Sequence, residues 1–326
     1  MNSRRARILP HVGAAVGDTP LVALDRLASG LPGRVAIKLE YFSPGGSIKD
    51  RPALACLEEA EAAGILKRGQ WVVEKTSGNM GAGLAWACAV KGYRFVAVMS
   101  AGNTPERRRM IEAFGGTVVL VPQARGGTDG QVSREDLELV EAETARQVQK
   151  RRAFLPDQFN NPACVRAHER GTGREIWEQT AGAVSHFCSF AGTAGTISGV
   201  GRALKRRNPR IRIVVVEPKQ AQTLAGKRVV STSHVVQGGG YAMTPAIYDP
   251  SVVDATWPVS DRVALRTMRD LAREEGIMAG ISTGANVACA LALAAKAPRG
   301  SVIVTVACDT GLKYLSLDTQ HRRDRR

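Results

Sequence analysis

Short apolar runs alternate along the chain with longer segments that mix apolar and charged positions. An apolar run at residues 35–39 leads through a Pro-Gly-Gly turn into a segment of helical periodicity at residues 50–63. Beyond it, the pattern predicts strand, helix, strand, helix and strand at residues 71–74, 81–91, 95–99, 105–114 and 117–121. This order is typical of a parallel sheet with crossover helices.

The second half of the chain shows the same alternation after a charged helix predicted at residues 133–152. Residues 217–258 contain three consecutive glycines and are interpreted as irregular. The elements predicted here are helices at 163–177, 197–207, 261–275 and 285–296, and strands at 184–190, 212–216 and 302–306. We therefore expect two α/β lobes with a cleft between them, because ligands bind at the carboxyl ends of parallel strands.

Length and hydrophobicity are consistent with this architecture. The chain has 326 residues, of which 44% are hydrophobic, enough for two domains or one large α/β unit. No run of eighteen apolar residues occurs, so no membrane span is expected. The basic N-terminus is followed by Ile8, Leu9 and Pro10 rather than a long apolar stretch, which argues against a secretory signal. A cytoplasmic protein is expected.

The charge raises the question of a nucleic-acid partner. The formal net charge is +15, and such an excess is common in proteins that bind nucleic acid. The arginines are nevertheless spread along the chain, and aromatic residues are only 5%, too few for base-stacking platforms. We interpret the charge as solvated surface that favours small anions, and we expect no nucleic-acid partner.

Cysteine and histidine spacing does not indicate a metal site. The six cysteines are scattered without a CxxC pair, and the five histidines form no HExxH or similar cluster. We therefore expect reduced thiols that are mostly buried, and no bound metal.

Lys49 is the first candidate for chemistry. It lies between the strand at 35–39 and the helix at 50–63, beside a glycine-rich bend. A helix N-terminus and a fixed position depress the pKa of an amine, which favours Schiff-base formation. A surface lysine that happens to lie in a turn is the alternative, and this segment alone does not exclude it.

Three further turns follow predicted strands or enter predicted helices. Residues 75–81 combine two hydroxyls, an amide and two glycines, as in a nest for a carboxylate or in an ordinary N-cap. Residues 191–196 have the form of a phosphate cradle, although they match neither a Walker loop nor GxGxxG, and a plain glycine-rich turn is the alternative. Residues 280–285 alone indicate only a helix cap.

Taken together, these segments resemble the cysteine synthase and cystathionine β-synthase family of fold-type II pyridoxal-phosphate enzymes. The resemblance begins at Gly-Asp-Thr-Pro-Leu-Val, residues 17–22, and ends at residues 307–316. Residues 157–162 and 173–177 are most similar to the B-type cysteine synthases, the O-acetylserine sulfhydrylases B. The family resemblance implies two doubly wound α/β lobes, as in the tryptophan synthase β-subunit, with the active site in the cleft between them.

The resemblance also implies a domain division and a partner. Residues 1–48 would contribute to the larger lobe, and residues 49–156 would form a smaller, mobile lobe that binds substrate. Residues 157–326 would form the larger lobe that holds the phosphate of pyridoxal 5'-phosphate. Members of this family are typically homodimers, so a homodimer is expected.

The resemblance assigns roles to individual residues. Lys49 would carry the cofactor and move the α-proton, Asn79 would bind the ring hydroxyl, and Ser282 would face the pyridine nitrogen. The cofactor phosphate would be held by Gly192, Thr193, Ala194, Gly195 and Thr196. The substrate would be bound by Thr76, Ser77, Gly78, Met80, Gln158, Gly239 and Tyr241.

The implied reaction is β-replacement. O-acetylserine or O-phosphoserine would lose its β-substituent, and a nucleophile would add to the aminoacrylate to give L-cysteine or a related amino acid. A serine or threonine dehydratase-type lyase is the first alternative, and a non-catalytic, nucleic-acid-binding relative is the second.

Several positions depart from the family pattern. Met80 stands where the carboxylate loop normally has a threonine, and Lys75 stands where a small or apolar residue is usual. Residues 124–134 and 243–248 are also unusual. These departures suggest a specialised donor or nucleophile, such as phosphoserine, thiosulfate or an amine. The sequence leaves the leaving group, the nucleophile and the pathway open.

Overall fold

The computed structural model describes residues 8–76, 78–103, 105–124 and 134–315. Its strands are β1 (Leu21–Ala23), β2 (Arg34–Leu39), β3 (Trp71–Lys75), β4 (Arg94–Ser100), β5 (Thr117–Val121), β6 (Val184–Phe190), β7 (Arg212–Pro218), β8 (Ala255–Val259) and β9 (Val302–Ala307). Its helices are α1 (Asp50–Ala62), α2 (Asn79–Lys91), α3 (Pro105–Ala113), α4 (Arg134–Arg151), α5 (Ala163–Ala167), α6 (Arg174–Gln179), α7 (Gly195–Arg207), α8 (Asp261–Glu275) and α9 (Ile281–Ala294). None of the helices among these residues has the length and apolar character needed to cross a membrane.

A six-stranded sheet joins the start of the chain to its second half. The strand order is β1-β2-β9-β6-β7-β8, and every neighbouring pair is parallel except β1 with β2. The strands β2, β6, β7 and β9 are buried along most of their length, as expected for a parallel sheet covered on both faces. One face packs against α8 and α9, and the other packs against α7 and the helical segment before β6.

A second sheet contains the three strands β3-β4-β5, all parallel. Because successive side chains point to opposite faces, Val73 and Val98 pack toward Val140 of α4. Val72 and Phe95 belong to the apolar cluster on the other face, which includes residues of α1 and α2. The parallel β-α-β order predicted for this part of the chain is confirmed.

Two strands were not predicted, and one helix begins a full turn before its predicted start. Residues 255–259 form strand β8, and residues 21–23 form strand β1, where a strand was not expected. Both lie at edges of the sheet, so Pro258 is tolerated and neither strand needs a long apolar run. Helix α9 begins at Ile281, four residues before the predicted start. Its early glycine, Gly284, allows this first turn to lie against the backbone of α8.

The segment predicted as one helix at 163–177 is helical but not uniform. Between α5 and α6 it contains a π-helical stretch, His168–Gly173. A side chain at Gly199 of α7 would overlap with the carbonyl of Val165, so the two segments cross at close range. The glycines at this crossing leave room for the π-helical stretch to lie close to α7.

Glu74 is a buried carboxyl on the apolar face of β3. Its exposed fraction is 0%, and among the residues that the structure describes neither carboxyl oxygen accepts a well-formed hydrogen bond. Burial raises the pKa of Glu74 well above its usual value, and the charges of Asp157 and Cys164 raise it further, whereas the backbone of Asp157 and the charge of Lys75 lower it in part. Folding therefore favours the neutral acid.

We expect Glu74→Gln to increase stability at neutral pH. A raised pKa in the folded state means that the unfolded chain releases a proton that the folded chain retains. Wild-type stability then falls as pH rises above the ordinary glutamate pKa. The variant lacks this loss and should be more stable by about 1 kcal/mol or more at pH 7.5, and nearly equal at pH 4.5. Urea unfolding at both pH values measures the difference. The exposed Glu274→Gln serves as control, and a gain that does not grow with pH would contradict the assignment.

Candidate active site

Three chain segments meet at the carboxyl edge of the larger sheet. They follow β2, β9 and β6, which are adjacent in the sheet. The backbone N–H of Ile48 donates to the carbonyl of Cys308 at 2.7 Å, and Ser47 forms an isolated bridge with Asp309. The lysine-bearing segment is thus fixed directly to the end of β9, in the position where α/β folds bind ligands.

Lys49 lies at the N-cap of α1 and is half-buried. Its Nζ donates to Oγ1 of Thr193 at 3.4 Å, which brings together the two residues expected to hold the cofactor aldehyde and phosphate. Burial lowers the pKa of Lys49, and the nearby thiols of Cys164, Cys308 and Cys56 offset part of this effect. A lowered pKa leaves more of the amine in its nucleophilic, neutral form.

The predicted phosphate cradle is a tight strand-to-helix turn. Ala194 has a left-handed backbone (φ 65°), and α7 begins at the next residue. A Cβ on Gly192 would overlap with the carbonyl oxygen of Gly238, and one on Gly239 would overlap with the carbonyl of Ala191. The glycine-rich loop therefore lies directly on the cradle. A helix N-terminus in this position can bind an anion.

The far side of the cradle contains His168. Its Nε2 lies 3.3 Å from Oγ1 of Thr196, and its Nδ1 lies 3.0 Å from Oγ1 of Thr172. Burial lowers the pKa of His168 well below its usual value, with the charges of Arg51 and Lys49 acting in the same direction. The ring is therefore neutral and orients a cradle hydroxyl, as expected of a structural residue.

Asn79 lies in a polar network that the sequence analysis did not assign. Its Nδ2 donates to Oδ2 of Asp309 at 2.8 Å, and its Oδ1 accepts from Nζ of Lys313 at 2.7 Å. The hydroxyl of Tyr314 donates to the same Asp309 oxygen at 2.7 Å. Asp309 is 1% exposed, and burial raises its pKa. An aspartate two residues after the last strand was the only sequence signal for this group.

Ser282 lies in the first turn of α9, beside the end of β9. Burial raises the pKa of the Cys308 thiol to about 12, and the Ser282 side chain lowers it in part. The backbone N–H of Cys308 donates to Oγ1 of Thr283 at 3.1 Å. Cys308 also interacts electrostatically with Lys49. The structure thus brings Ser282 into the same neighbourhood as the lysine, through a thiol at the strand end.

Four of the residues predicted to bind substrate, 76, 77, 78 and 80, belong to the segment that starts α2, whereas Gly239 lies against the cradle and Tyr241 against Phe159. Thr76 and Gln158 are each 8% exposed, and Gly78 caps the helix. The side chain of Met80 is buried in the apolar cluster of α1 and α2, so only its backbone can serve the cleft. Ser77 lies outside the described residues. The group that can face a ligand here is the N-terminus of α2. The first backbone N–H groups of a helix have no partner within the helix, and they suit a carboxylate.

Charged and aromatic side chains lie around Phe159 and beside the glycine-rich loop. Tyr241 packs edge-on against Phe159 with ring centroids 6.2 Å apart, and Nζ of Lys75 lies 5.9 Å from the centre of the Phe159 ring. Lys75 also pairs with Glu141 of α4. Arg107 of α3 donates to Gln237 next to the glycine-rich loop. Of the unusual segment at 124–134, residues 125–133 lie outside the described residues.

These groups fit a small molecule that has a phosphate, a carbonyl and an aromatic ring. The glycine cradle leaves no space for a Cβ at Gly192, which is typical where backbone approaches an anion closely. Lys49 provides an amine with a lowered pKa beside the cradle, and Ser282 provides a neutral hydroxyl at the strand end. The arrangement can bind such a molecule and transfer a proton at Nζ of Lys49.

Comparison with known proteins identifies close relatives. A family model described as "Pyridoxal-phosphate dependent enzyme" matches residues 12–309. The chain is 42% identical over 302 residues to O-ureido-L-serine synthase of Streptomyces lavendulae, covering 92% of this chain and 89% of that protein. It is 38% identical over 307 residues to cysteine synthase B of Pseudomonas aeruginosa, covering 94% and 96%.

Solved structures have the same fold. A crystal structure of O-ureido-L-serine synthase matches with a TM-score of 0.87 at 41% identity, over 95% of this chain and 94% of that one. A crystal structure of O-acetylserine sulfhydrylase isoform 3 from Entamoeba histolytica matches with a TM-score of 0.88 at 34% identity, over 98% and 93%. The two-sheet α/β architecture with parallel strands is therefore shared along nearly the whole chain.

Proposed function

The chain belongs to the family of pyridoxal-phosphate-dependent enzymes, in its fold-type II cysteine synthase branch, and from this we propose how its cleft works and which substrates it takes. It is a transferase that replaces the β-substituent of an activated L-serine with a nucleophile. The observation that supports the assignment of the site is the contact between Nζ of Lys49 and Oγ1 of Thr193. A reactive amine and an anion cradle are what this cofactor requires.

We propose that pyridoxal phosphate is held by four groups of this chain. The cradle at residues 192–196 would bind its phosphate, and Lys49 would bind its aldehyde. Asn79 would bind the hydroxyl of its ring, and Ser282 would face the nitrogen of its ring. When bound, the cofactor supplies the electron sink that makes the α-proton of the donor acidic. A serine hydroxyl at the ring nitrogen suits elimination and replacement at Cβ.

Lys49 is the proposed proton carrier. Its Nζ accepts the α-proton of the donor and returns it when the product forms, which requires an amine that is not permanently charged. Burial of Lys49 lowers its pKa and provides this property. Its position at the N-cap of α1, with the strand end fixed by Ile48, keeps Nζ in place through both half-reactions.

The smaller lobe, residues 49–156, is the proposed mobile part. The amides at the start of α2, with Thr76 and Gln158, would receive the carboxylate of the donor. Contacts across the entrance, such as Arg107 with Gln237, would close the cleft around the substrate. Closure excludes water and protects the reactive intermediate state from hydrolysis.

We propose an O-acetyl or O-phospho serine as donor and a hydroxyl or amine compound as the preferred nucleophile, with sulfide as the competing choice. Similarity to O-ureido-L-serine synthase supports the first nucleophile class, because attack by the oxygen of hydroxyurea on Cβ would give that product. Similarity to cysteine synthases supports sulfide. The departures at Lys75 and Met80 support a nucleophile other than sulfide.

The first experiment is absorption spectroscopy of the purified protein with each donor. A band of bound cofactor that changes with one donor identifies the donor, and its recovery on addition of sulfide, thiosulfate or hydroxyurea identifies the nucleophile. Mass spectrometry of the amino-acid product completes the assignment. Pyruvate and ammonia without a β-substituted product would establish a lyase instead. A cofactor band that responds to neither donor would reject both donors.

We expect Gly192→Ala to weaken pyridoxal-phosphate binding. The added methyl overlaps with Gly238, and overpacking of this kind costs about 1–3 kcal/mol. The dissociation constant should therefore rise by roughly 5- to 150-fold. Equilibrium titration of the apoprotein measures it. Gly300→Asn, at a turn glycine with open space, is the control, and unchanged cofactor affinity in Gly192→Ala would place the phosphate elsewhere.

We further propose that the protein works as a homodimer in the cytoplasm, with amino-acid biosynthesis as its pathway class and without a nucleic-acid partner. The resemblance to cysteine synthases, which are typically homodimers, supports the first proposal, and the low aromatic content supports the last. Light scattering after size exclusion tests the dimer. Binding to DNA or RNA at low salt would overturn the last proposal.

A further inference from the structure

Two thiols lie in contact beneath the proposed active site. Sγ of Cys56 in α1 and Sγ of Cys164 in α5 are 3.7 Å apart, and the two residues are 1% and 3% exposed. They are 108 positions apart in sequence, so only the fold brings them together. Such a distance is within reach of a disulfide after a small shift of both side chains.

This thiol pair connects the two halves of the proposed cofactor site. Cys56 lies about two turns after Lys49 on α1. The carbonyl of Cys164 lies against Gly195, the first residue of α7 in the phosphate cradle. A shift of Cys56 would therefore act on the helix that follows the lysine, and a shift of Cys164 would act on a backbone contact of the cradle.

We propose that Cys56 and Cys164 form a covalent modification site, at which a hydroperoxide oxidises the two thiols to a disulfide and lowers activity. One thiolate attacks the peroxide, the O–O bond breaks, and the sulfur becomes a sulfenic acid. The second thiol attacks that sulfur, forms the S–S bond and releases water. In total the two thiols lose two protons and two electrons, and hydrogen peroxide is reduced to two water molecules.

Cys164 is the thiol that attacks first. The hydrogen bond between the two thiols and the positive charge at Nζ of Lys49 lower the pKa of Cys164, against the effect of burial. The same hydrogen bond and burial raise the pKa of Cys56, which suits it to the second, resolving step. Because the thiolate is the nucleophile, the asymmetry between the two sulfurs sets the order of the reaction.

Disulfide formation has a geometric consequence for the site. The two sulfurs must approach from 3.7 Å to about 2.05 Å, which draws α1 toward α5. A displacement of about 1 Å in a catalytic group can cost roughly 100-fold in rate. We therefore expect the oxidised enzyme to lose about 100-fold in β-replacement activity and to regain it with a dithiol reductant.

A second thiol pair provides the matched control. Cys188 and Cys289 lie on β6 and α9, are both fully buried and interact with each other. Sγ of Cys188 donates to the carbonyl of Asn286 at 3.6 Å. Oxidation that depends only on thiol proximity would affect both pairs, whereas the proposal expects it at Cys56 and Cys164.

The test exposes the holoenzyme to hydrogen peroxide and measures three quantities. We expect an intact mass lower by about 2 Da, a cross-linked peptide containing Cys56 and Cys164, and loss of two of the six free thiols. Cys56→Ala should keep its activity under the same treatment and show no cross-link. Cys188→Ala should behave like the wild type. Cys164→Ala provides a second blocked variant in case Cys56→Ala does not fold.

Three outcomes would overturn the proposal. They are a mass gain of about 16 Da without a cross-link, a cross-link between Cys188 and Cys289 instead, and a Cys56–Cys164 disulfide that leaves activity unchanged. The mass and peptide readouts do not depend on the proposed reaction. A failure of the substrate assignment would therefore be distinguishable from a failure of the thiol site.

Discussion

Replacing Lys49 with alanine is expected to reduce β-replacement by at least about 10⁴-fold, the upper range for a positioned acid–base group. Nζ of Lys49 is the amine that contacts Thr193 of the cradle, and the contact at 3.4 Å places it beside the proposed phosphate site. Its loss removes both the covalent attachment of the cofactor and the group that moves the α-proton. Among the residues that the structure describes, no other lysine amine contacts Thr193.

The measurement combines turnover with the absorption spectrum of the bound cofactor. Lys49→Ala should lose the band of the covalently attached cofactor and retain the fold, as judged by its melting temperature. Lys67→Ala, at an exposed lysine after α1, is the matched control and should keep both the band and the activity. Retention of the covalent band in Lys49→Ala would show that another amine carries the cofactor.

Arg51→Met is expected to destabilise the fold by about 3–5 kcal/mol, the cost of leaving a buried charge without its partner. Arg51 is 6% exposed and bonds two carboxylates. Its Nε donates to Glu40 at 2.6 Å, and its Nη1 and Nη2 each donate to Glu175 at 2.7 Å. Glu175 also pairs with the fully buried Lys38 at 2.8 Å. Removing Arg51 leaves two carboxylates facing one buried lysine.

Urea unfolding at pH 7 measures this effect, and pH variation tests its origin. Burial alone would raise the pKa of Glu175, but Arg51 and Lys38 hold it down to about 2. A lowered acid pKa contributes stability above the ordinary glutamate pKa, and this contribution is lost as pH falls toward 2. The difference between wild type and Arg51→Met should therefore shrink between pH 5 and pH 2.5.

The control for the ion network is an exposed arginine on the same side of the molecule. Arg174 pairs with Glu178 at 2.6 Å, with 43% of its side chain exposed. Surface pairs of this kind are worth about 0–1 kcal/mol, so Arg174→Met should have little effect. Equal losses in the two variants, or a loss below about 1 kcal/mol in Arg51→Met, would contradict the network.

The network also explains part of the geometry of the site. Arg51 follows Lys49 by two residues, and it connects the start of α1 to Glu40 after β2 and Glu175 in α6. The lysine is therefore held by a charged cluster on one side and by the end of β9 on the other. Each charge in this cluster looked like an ordinary surface residue in the sequence, because ion pairs between distant positions leave no local pattern.

Local patterns were sufficient for most secondary-structure elements. The parallel sheets and the strand-to-helix turns at Lys49, Gly192 and Asn79 follow from apolar periodicity, glycines and capping residues, which act over a few positions. The edge strands β1 and β8 were missed because an edge strand needs neither a long apolar run nor every backbone donor. The first turn of α9 was not predicted because a glycine normally disfavours a helix. Gly284 is needed there because a side chain would overlap with the backbone of α8.

The alternation of strands and helices, the candidate turns and, through the motifs, the family could all be inferred from the amino-acid order alone. Three contacts could be found only in the folded chain: Asp309 and Lys313 with Asn79, Met80 with the apolar core, and Cys56 with Cys164. The difference lies in the range over which each interaction acts. Propensity and periodicity act between neighbours in the chain, whereas burial, ion pairing and thiol contact depend on groups that folding brings together from distant segments.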